Sequence, residues 1–411
     1  MRRVAVTGLG VVAPLGRSVD ELFAQLAAGV SGIARLPPEL GEGLRSPLGA
    51  LAQFDGTEHF DAPRLRILDK VSQFALVAAR ESIADAKLDF GGERRERCGV
   101  SVGTGMGGAQ TTDSGYRTLY AQNSGRIEPF SVIAAMANAP AAWIGIEHGL
   151  CGPNLTYSTA CSSSAVAIGE AALRIRLGEV DVMLAGGAEA PLTFGVLRAW
   201  DAMRVMAAVD TRDPSTSCRP FALNRSGLVL AEGAAFVVLE EWEHALRRGA
   251  QIHAELCGYG LGTDSGHITR PSVEGQARTM QAALASAACS PDDIDYINAH
   301  GTATVQNDAT ETAAIKTTFG RYAYRIPVSS TKSMHGHLLG AAGALEFVVC
   351  VASLLHNAVP PTMHLDSRDP GCDLDYVTDG ARSMTVNTVM SNSFAFGGTN
   401  AVLIARRAQR S

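Results

Sequence analysis

One cysteine, two histidines and one lysine, each beside a serine- or glycine-rich turn, could together perform acyl chemistry in this chain. Cys161 sits in NLTYSTACSSSAVAIGEAALRIRLG, where a strand-like run gives way to helical spacing. Ala165, Ile168, Ala172 and Ile175 recur every three or four residues, and Gly178 suits the C-cap. A thiol at such a helix start faces unpaired N–H groups, a setting expected to lower its pKa from about 8.5 and to supply a nucleophile. The small neighbours Ala160, Ser162, Ser163 and Ser164 leave room for a carbonyl to approach. A buried structural thiol is the competing reading.

The histidines strengthen the nucleophile. In IDYINAHGTATVQND the strand-like run Ile294–Asn298 delivers His300 to a Gly/Thr turn, and in VSSTKSMHGHLLGAAG Lys332, His335 and His337 crowd before a small-residue helix. The ends of strands in α/β folds are where functional side chains gather. His335 and His337 stand at alternate positions, but no carboxylate or cysteine follows at a usual ligand spacing, so a zinc site is not expected. VMSNSFAFGGTNAVLI carries Gly397 and Gly398, whose freedom at φ > 0 exposes backbone N–H groups. Such a loop can supply an oxyanion donor with Phe396 as a movable wall, although an ordinary hairpin has the same pattern.

The other glycine loops are weaker. VGTGMGGA matches G-x-G-x-x-G at Gly103, Gly105 and Gly108, and VTGLGVVAPLG resembles a dinucleotide loop, yet neither has an acidic residue at the expected distance. Both read as tight turns, with Met106 toward a substrate pocket. His267, in TDSGHITRP, is placed at a pocket entrance; His59, His148, His244, His253, His356 and His364 read as solvent or packing residues.

The positioning elements alternate. Strand-like Val4–Thr7, Cys98–Val102, Val180–Ala185 and Ala235–Glu240 are interspersed with helix-like Asp69–Ala86 and Ala165–Leu177, the pattern of an α/β protein. The polar run Glu241–Gly249 precedes a new series near Ala254, placing a boundary between an N-terminal half, 1–250, and a C-terminal half, 251–411. Each half holds a strand, a Ser/Thr turn and a small-residue helix in that order, which suggests internal duplication.

Composition narrows the function. A chain of 411 residues with 46% hydrophobic content can bury a large two-part core, and a net charge of -6 argues against nucleic acid as a partner. The eight cysteines lack C-x-x-C spacing, against a disulfide framework. No stretch of 18 residues or more reads as uninterrupted and apolar, so no membrane span is expected, and Gly8, Gly10, Pro14 and Gly16 break the N-terminal apolar run, which reads as a strand and glycine turn. A cytoplasmic protein is the expectation.

In order along the chain, VAVTGLGVVAPLG, YSTACSSSA, DVMLAGGAEA, INAHGTAT, SSTKSMHGHLLGAAGALE, AVPPT and SNSFAFGGTN resemble the type II, elongating β-ketoacyl-acyl carrier protein synthases of the thiolase superfamily. The resemblance covers essentially the whole chain. It implies two similar α/β halves packed as a five-layered αβαβα unit. It also implies a Cys161–His300–His337 triad, with Lys332 ordering the site through Glu311 and Glu346. Phe396 would be the gate, its N–H and that of Cys161 forming the oxyanion hole. Met106, Ser131, Ala160, Trp200, Thr302, Thr304 and Leu339 would line the substrate pocket. Arg66, Arg126 and Arg204 would dock the acidic carrier protein.

Substrates would arrive on the phosphopantetheine of acyl carrier protein, with no metal or redox cofactor. The implied assembly is a homodimer, or else a heterodimer with a chain-length factor. Departures from the family pattern are His335 in place of threonine, Ala395 in place of glycine, Ala303, Asn224, and Ser131 where housekeeping members often carry an aromatic. They leave room for a specialised polyketide or polyene pathway. A non-catalytic chain-length-factor subunit is the rival reading, and such subunits typically lack the nucleophile that Cys161 provides. A thiolase would carry a second cysteine in SNSFAFGGTN, and a dinucleotide reductase would rest on the glycine loops alone.

Overall fold

In the computed structural model, which describes residues 2–408, the chain builds one topology twice. The first unit runs β1 (Val4–Val12), α1 (Lys70–Ala86), β2 (Cys98–Gly103), α2 (Ala139–His148), β3 (Asn154–Tyr157), α3 (Ser163–Leu177), β4 (Val182–Glu189) and β5 (Gly233–Glu241). The second runs β6 (Ala254–Thr263), α4 (Val273–Ala287), β7 (Tyr296–Asn298), α5 (Val305–Phe319), β8 (Val328–Ser329), α6 (Ala342–His356), β9 (Thr388–Phe394) and β10 (Thr399–Arg407). Strand order is β3-β2-β4-β5-β1 in one and β8-β7-β9-β10-β6 in the other. Each strand therefore has a counterpart in the other half. In both units the first three strands pair parallel and the last three antiparallel. The two sheets join edge to edge where Ala5 and Val6 pair with Glu255 and Ala254.

Hydrophobic pattern decides the layers. α3 packs on β2 and β4 of its own sheet and reaches β6 and β10 of the other, while α6 packs on β9 and on β5. These two helices form the middle layer; α1 and α2 cover one outer face, and α4 and α5 the other. The result is the five-layered αβαβα unit. α6 is buried on all sides from Ala342 to Leu354 and apolar there except for Ser353 and for Glu346, which is paired with Lys332. The stretch Leu339–His356, with mean hydropathy 1.8, is in fact long and apolar enough to cross a membrane, contrary to the expectation from sequence. Its window is 89% buried inside the protein, because it serves as the central core helix.

Two close approaches bring the middle helices to the sheets. A Cβ on Gly103 would lie 2.2 Å from the Ser164 nitrogen, and one on Gly343 would lie 2.8 Å from the Ala165 Cβ. The start of α3 is thereby seated on the end of β2 and against α6. At the N-terminus the structure corrects one reading: Gly8 and Gly10 lie inside β1 rather than in a turn. There a Cβ would strike the α1 backbone, 2.0 Å from the Ser82 oxygen and 2.1 Å from the Ala78 oxygen.

Candidate active site

The chain reverses sharply between β3 and α3. Ala160 adopts φ +51, an uncommon conformation for a residue with a Cβ, and the Ser163 hydroxyl donates to the Ala160 carbonyl at 2.6 Å while accepting the Thr159 N–H at 2.9 Å. Cys161 follows in a single 3₁₀ turn ahead of α3, only 6% exposed. Ala160 therefore shapes the turn that aims the thiol, and it is not among the residues lining the cavity in front of it.

His300 is held from behind by a carboxylate. Glu311, on α5, accepts the N–H groups of His300 and Gly301, both at 2.8 Å, and takes a further bond from Asn392 at 3.2 Å. His337 is stitched to the first half of the chain: its N–H donates to the Val229 oxygen at 2.7 Å, and its carbonyl accepts the Ala231 N–H at 3.0 Å. The second half thus delivers both histidines, and backbone pairing with the first half sets His337 opposite the thiol. One ligand atom each from Cys161, His300 and His337 lies within 4.8 Å of the other two. The imidazoles meet edge to face with centroids 5.4 Å apart, and both His337 ring nitrogens are buried without a protein partner.

Lys332 lies 3.5 Å from His300 Nδ1 and is ion-paired with Glu346 of α6. The two carboxylates expected to partner it divide the work: Glu346 holds the ammonium, and Glu311 holds the backbone beside His300. His335 is satisfied on both ring nitrogens, by the Gly336 carbonyl at 2.7 Å and the Thr331 hydroxyl at 2.9 Å. It faces away from chemistry.

Electrostatics revise one expectation. Burial pushes the Cys161 thiol up to about 12, although the Lys332 charge and the Phe396 N–H act to lower it. The helix start does not produce a resting thiolate here, because desolvation of the charged sulfur outweighs it. Burial, then the Lys332 charge, hold both His300 and His337 well below the usual imidazole range. The resting site is a thiol beside two neutral imidazoles. A soft cation could choose this donor set, but the Lys332 ammonium next to His300 opposes one.

The hairpin of β9 and β10 closes the site. Within its turn Ala395, Gly397 and Gly398 donate to the carbonyls of Thr399, Ile268 and Ala395, whereas the Phe396 N–H faces the Cys161 sulfur. The Phe396 ring stacks on Trp200 with centroids 6.1 Å apart. A cavity of about 350 Å³ opens above the cysteine, lined by both triad histidines, Trp200, Thr302, Thr304, Phe396 and Arg204. His267 is at its entrance, as expected. Sequence reasoning missed Glu189, fully buried at the end of β4. It accepts the N–H groups of Gly105 at 2.6 Å, Met106 at 2.9 Å and Gly340 at 2.9 Å, tying the two halves together behind the nucleophile. A carboxylate in an otherwise apolar strand, GGAEA, was the available signal.

Several expected pocket and docking residues lie elsewhere. Met106 is turned by its bond to Glu189 and is largely exposed; Leu339 packs in the apolar cluster beneath Cys161. Ser131, Arg66 and Arg126 share a separate cleft with Lys70 and Phe130, so Arg204 alone of the three arginines reaches the mouth of the Cys161 cavity. The Thr111 N–H and hydroxyl both donate to Asp69 at the start of α1, each at 2.7 Å, which tethers the 109–136 segment to that helix end.

Two duplicated α/β halves closing on a Cys–His–His cluster define a condensing enzyme of the thiolase fold. The "Beta-ketoacyl synthase, N-terminal domain" profile matches residues 1–245, and the "Beta-ketoacyl synthase, C-terminal domain" profile matches 253–366. The chain belongs to the β-ketoacyl synthase family and is an acyltransferase of the ketosynthase type. It is 44% identical over 402 residues to nodulation protein E of Rhizobium meliloti (strain 1021), covering 98% of each chain. It is 42% identical over 409 residues to 3-oxoacyl-[acyl-carrier-protein] synthase 2 of Coxiella burnetii, covering 99% of each. A type II PKS ketosynthase, solved in complex with its acyl carrier protein and bound to the hexaketide, superposes with a TM-score of 0.92 at 33% identity, over 99% of this chain and 100% of that one.

Proposed function

We propose that this protein catalyses decarboxylative Claisen condensation of a malonyl-carrier protein with an acyl group held on Cys161, as a 3-oxoacyl-[acyl-carrier-protein] synthase in fatty acid or type II polyketide and polyene biosynthesis. The observation that carries this reading is the meeting of Cys161, His300 and His337 within 4.8 Å at a cavity floor. The same triplet argues against a chain-length-factor role, which has no use for a nucleophile.

The geometry supports the following sequence. Because the resting thiol is protonated, attack on an acyl thioester requires a neighbouring neutral imidazole to take the proton as the S–C bond forms. The N–H groups of Cys161 and Phe396 hold the tetrahedral oxyanion, an effect worth about 3–4 kcal/mol per donor in comparable sites. The carrier's thiol leaves with the proton. Malonyl carrier then enters and loses carbon dioxide, and the imidazole N–H groups of His300 and His337 hold the enolate oxygen. The carbanion attacks the acyl carbon, the C–S bond breaks with Cys161 leaving as thiolate, and one proton from solvent restores the thiol beside a 3-oxoacyl product two carbons longer. These steps call on no metal or redox cofactor.

Acyl carrier protein is the proposed partner, with Arg204 at the cavity mouth as one contact and Arg66 and Arg126 as more remote ones. A homodimer accounts for the apolar surface of the 116–146 segment, where Tyr120 is 80%, Val132 74% and Ile146 69% exposed. A chain-length factor is the alternative partner for that face. We place the enzyme in the cytoplasm and read residues 1–250 and 251–411 as its two halves; residue 1 and residues 409–411 lie outside the described structure. Intact-mass analysis with acyl-carrier substrates tests the proposal. Wild type should gain the acyl mass and Cys161→Ala should not; equal labelling of both would remove Cys161 as the nucleophile.

A further inference from the structure

A second cavity opens beside the mouth of the first. It measures about 340 Å³ and lies between the 208–212 segment and Asn224. That is within the usual range of small-ligand pockets, about 300–1,000 Å³. Ser226 lines both cavities, and its hydroxyl oxygen accepts the Ala208 N–H at 3.0 Å, so the two are neighbours across one side chain. Arg219 lines the recess but is ion-paired with Asp210, the one carboxylate among the lining residues. Asp210 is further satisfied by the N–H groups of Arg212 at 2.8 Å and Asp213 at 3.1 Å. The Arg212 guanidinium, the Asn224 amide and the Thr211 hydroxyl are left exposed, with no protein partner among the described residues.

We infer that this recess takes the adenosine 3′-phosphate end of coenzyme A, and that acyl-coenzyme A esters are a second class of acyl donor to Cys161. The inference rests on the reading of Cys161 as the acyl acceptor. Ala208 and Val209 offer an apolar face to a base, and the Asn224 amide presents a donor and an acceptor together, the pair an adenine edge requires. The free Arg212 guanidinium supplies a fork of donors for a phosphate. Arg204 and Arg270, exposed at the neighbouring mouth and without an ion pair among the described residues, would meet the diphosphate that joins arm to nucleotide. A carrier protein ends its arm in a single phosphodiester on a folded surface and fills no recess of this size. A nucleotide does.

The transfer balances without a co-reactant. The Cys161 sulfur attacks the thioester carbon, a new S–C bond forms, and the bond from that carbon to the coenzyme A sulfur breaks. Coenzyme A leaves as a thiol carrying the proton that Cys161 gave up. An acyl chain is then loaded with no acyl-carrier intermediate, and only the malonyl unit has to arrive on carrier protein.

Binding and transfer are tested separately on the full chain. By calorimetry, wild type should bind coenzyme A about tenfold more tightly than 4′-phosphopantetheine, the scale of one charge-assisted hydrogen bond. Arg212→Ala and Asn224→Asp, both at exposed positions, should each erase that preference and leave phosphopantetheine binding unchanged. By intact mass, octanoyl-coenzyme A should add an octanoyl group to Cys161, with KM raised about tenfold in Arg212→Ala. Octanoyl-phosphopantetheine should acylate wild type and Arg212→Ala alike. Equal affinity for coenzyme A and phosphopantetheine, or a preference that both variants keep, would overturn the recess as a nucleotide site. Acylation by octanoyl-phosphopantetheine but not by octanoyl-coenzyme A would overturn the donor role. Acylation by neither would instead remove Cys161 as the acceptor, and the calorimetry would still decide the recess.

Discussion

Lys332 Nζ stands 3.5 Å from His300 Nδ1 while its charge is paired with Glu346, so one buried ammonium serves both a carboxylate and an imidazole of the candidate site. Burial, and then the ammonium, hold His300 well below the usual imidazole range. Removing the lysine alone would strand Glu346, and a buried charge left without its partner costs about 3–5 kcal/mol.

The paired variant Lys332→Met/Glu346→Gln avoids that collapse. It should retain acylation of Cys161 but lose about 100-fold in malonyl decarboxylation, the scale of a general acid–base contribution. With the ammonium gone, the pKa of His300 rises and the acid limb of the decarboxylation profile moves to higher pH. Carbon dioxide release measured against pH checks both; an unmoved limb would show that Lys332 does not act through His300.

Cys161 offers a direct titration. With its thiol pushed up to about 12, the reactive thiolate fraction should grow about tenfold per pH unit across the neutral range. Inactivation by iodoacetamide, followed from pH 6 to pH 9, should rise without a plateau. A plateau near pH 7 would mean that the helix start and Lys332 overcome burial after all.

His335 makes a stability prediction. Burial pushes its pKa down to about 3, against about 6.5 when unfolded. Between those values the unfolded chain binds a proton that the folded chain refuses, so stability is full above pH 6.5 and falls as pH drops toward 3. His335→Thr lacks this slope. From pH 6.5 to pH 5 wild type should lose about 2 kcal/mol relative to the variant, read from denaturant melts. Parallel curves would place the proton elsewhere.

The exposed apolar segment tests the assembly. Val132→Asp and Tyr120→Asp together place charge on a face that a homodimer would bury. Light scattering should report a dimer for wild type and a monomer for the double variant, with far-UV circular dichroism unchanged. A monomeric wild type would instead point to a different chain as the partner.

The chemistry of the site was legible in local sequence. Cys161 at a strand-to-helix turn, His300 after a strand, and Gly397–Gly398 in a hairpin are short-range patterns, and a duplicated strand–turn–helix already hinted at two equal halves. What local pattern could not carry was separation in space and exclusion of water. Only the folded chain brings Val229 to His337, assigns Glu346 rather than Glu311 to Lys332, and turns Met106 and Ser131 away from the thiol. Burial likewise overruled the helix start at Cys161. Residue type and spacing determine which groups can react, because those are properties of neighbouring backbone. Proximity between halves and the cost of desolvating a charge depend on every layer packed around the site, and the tertiary structure alone decides them.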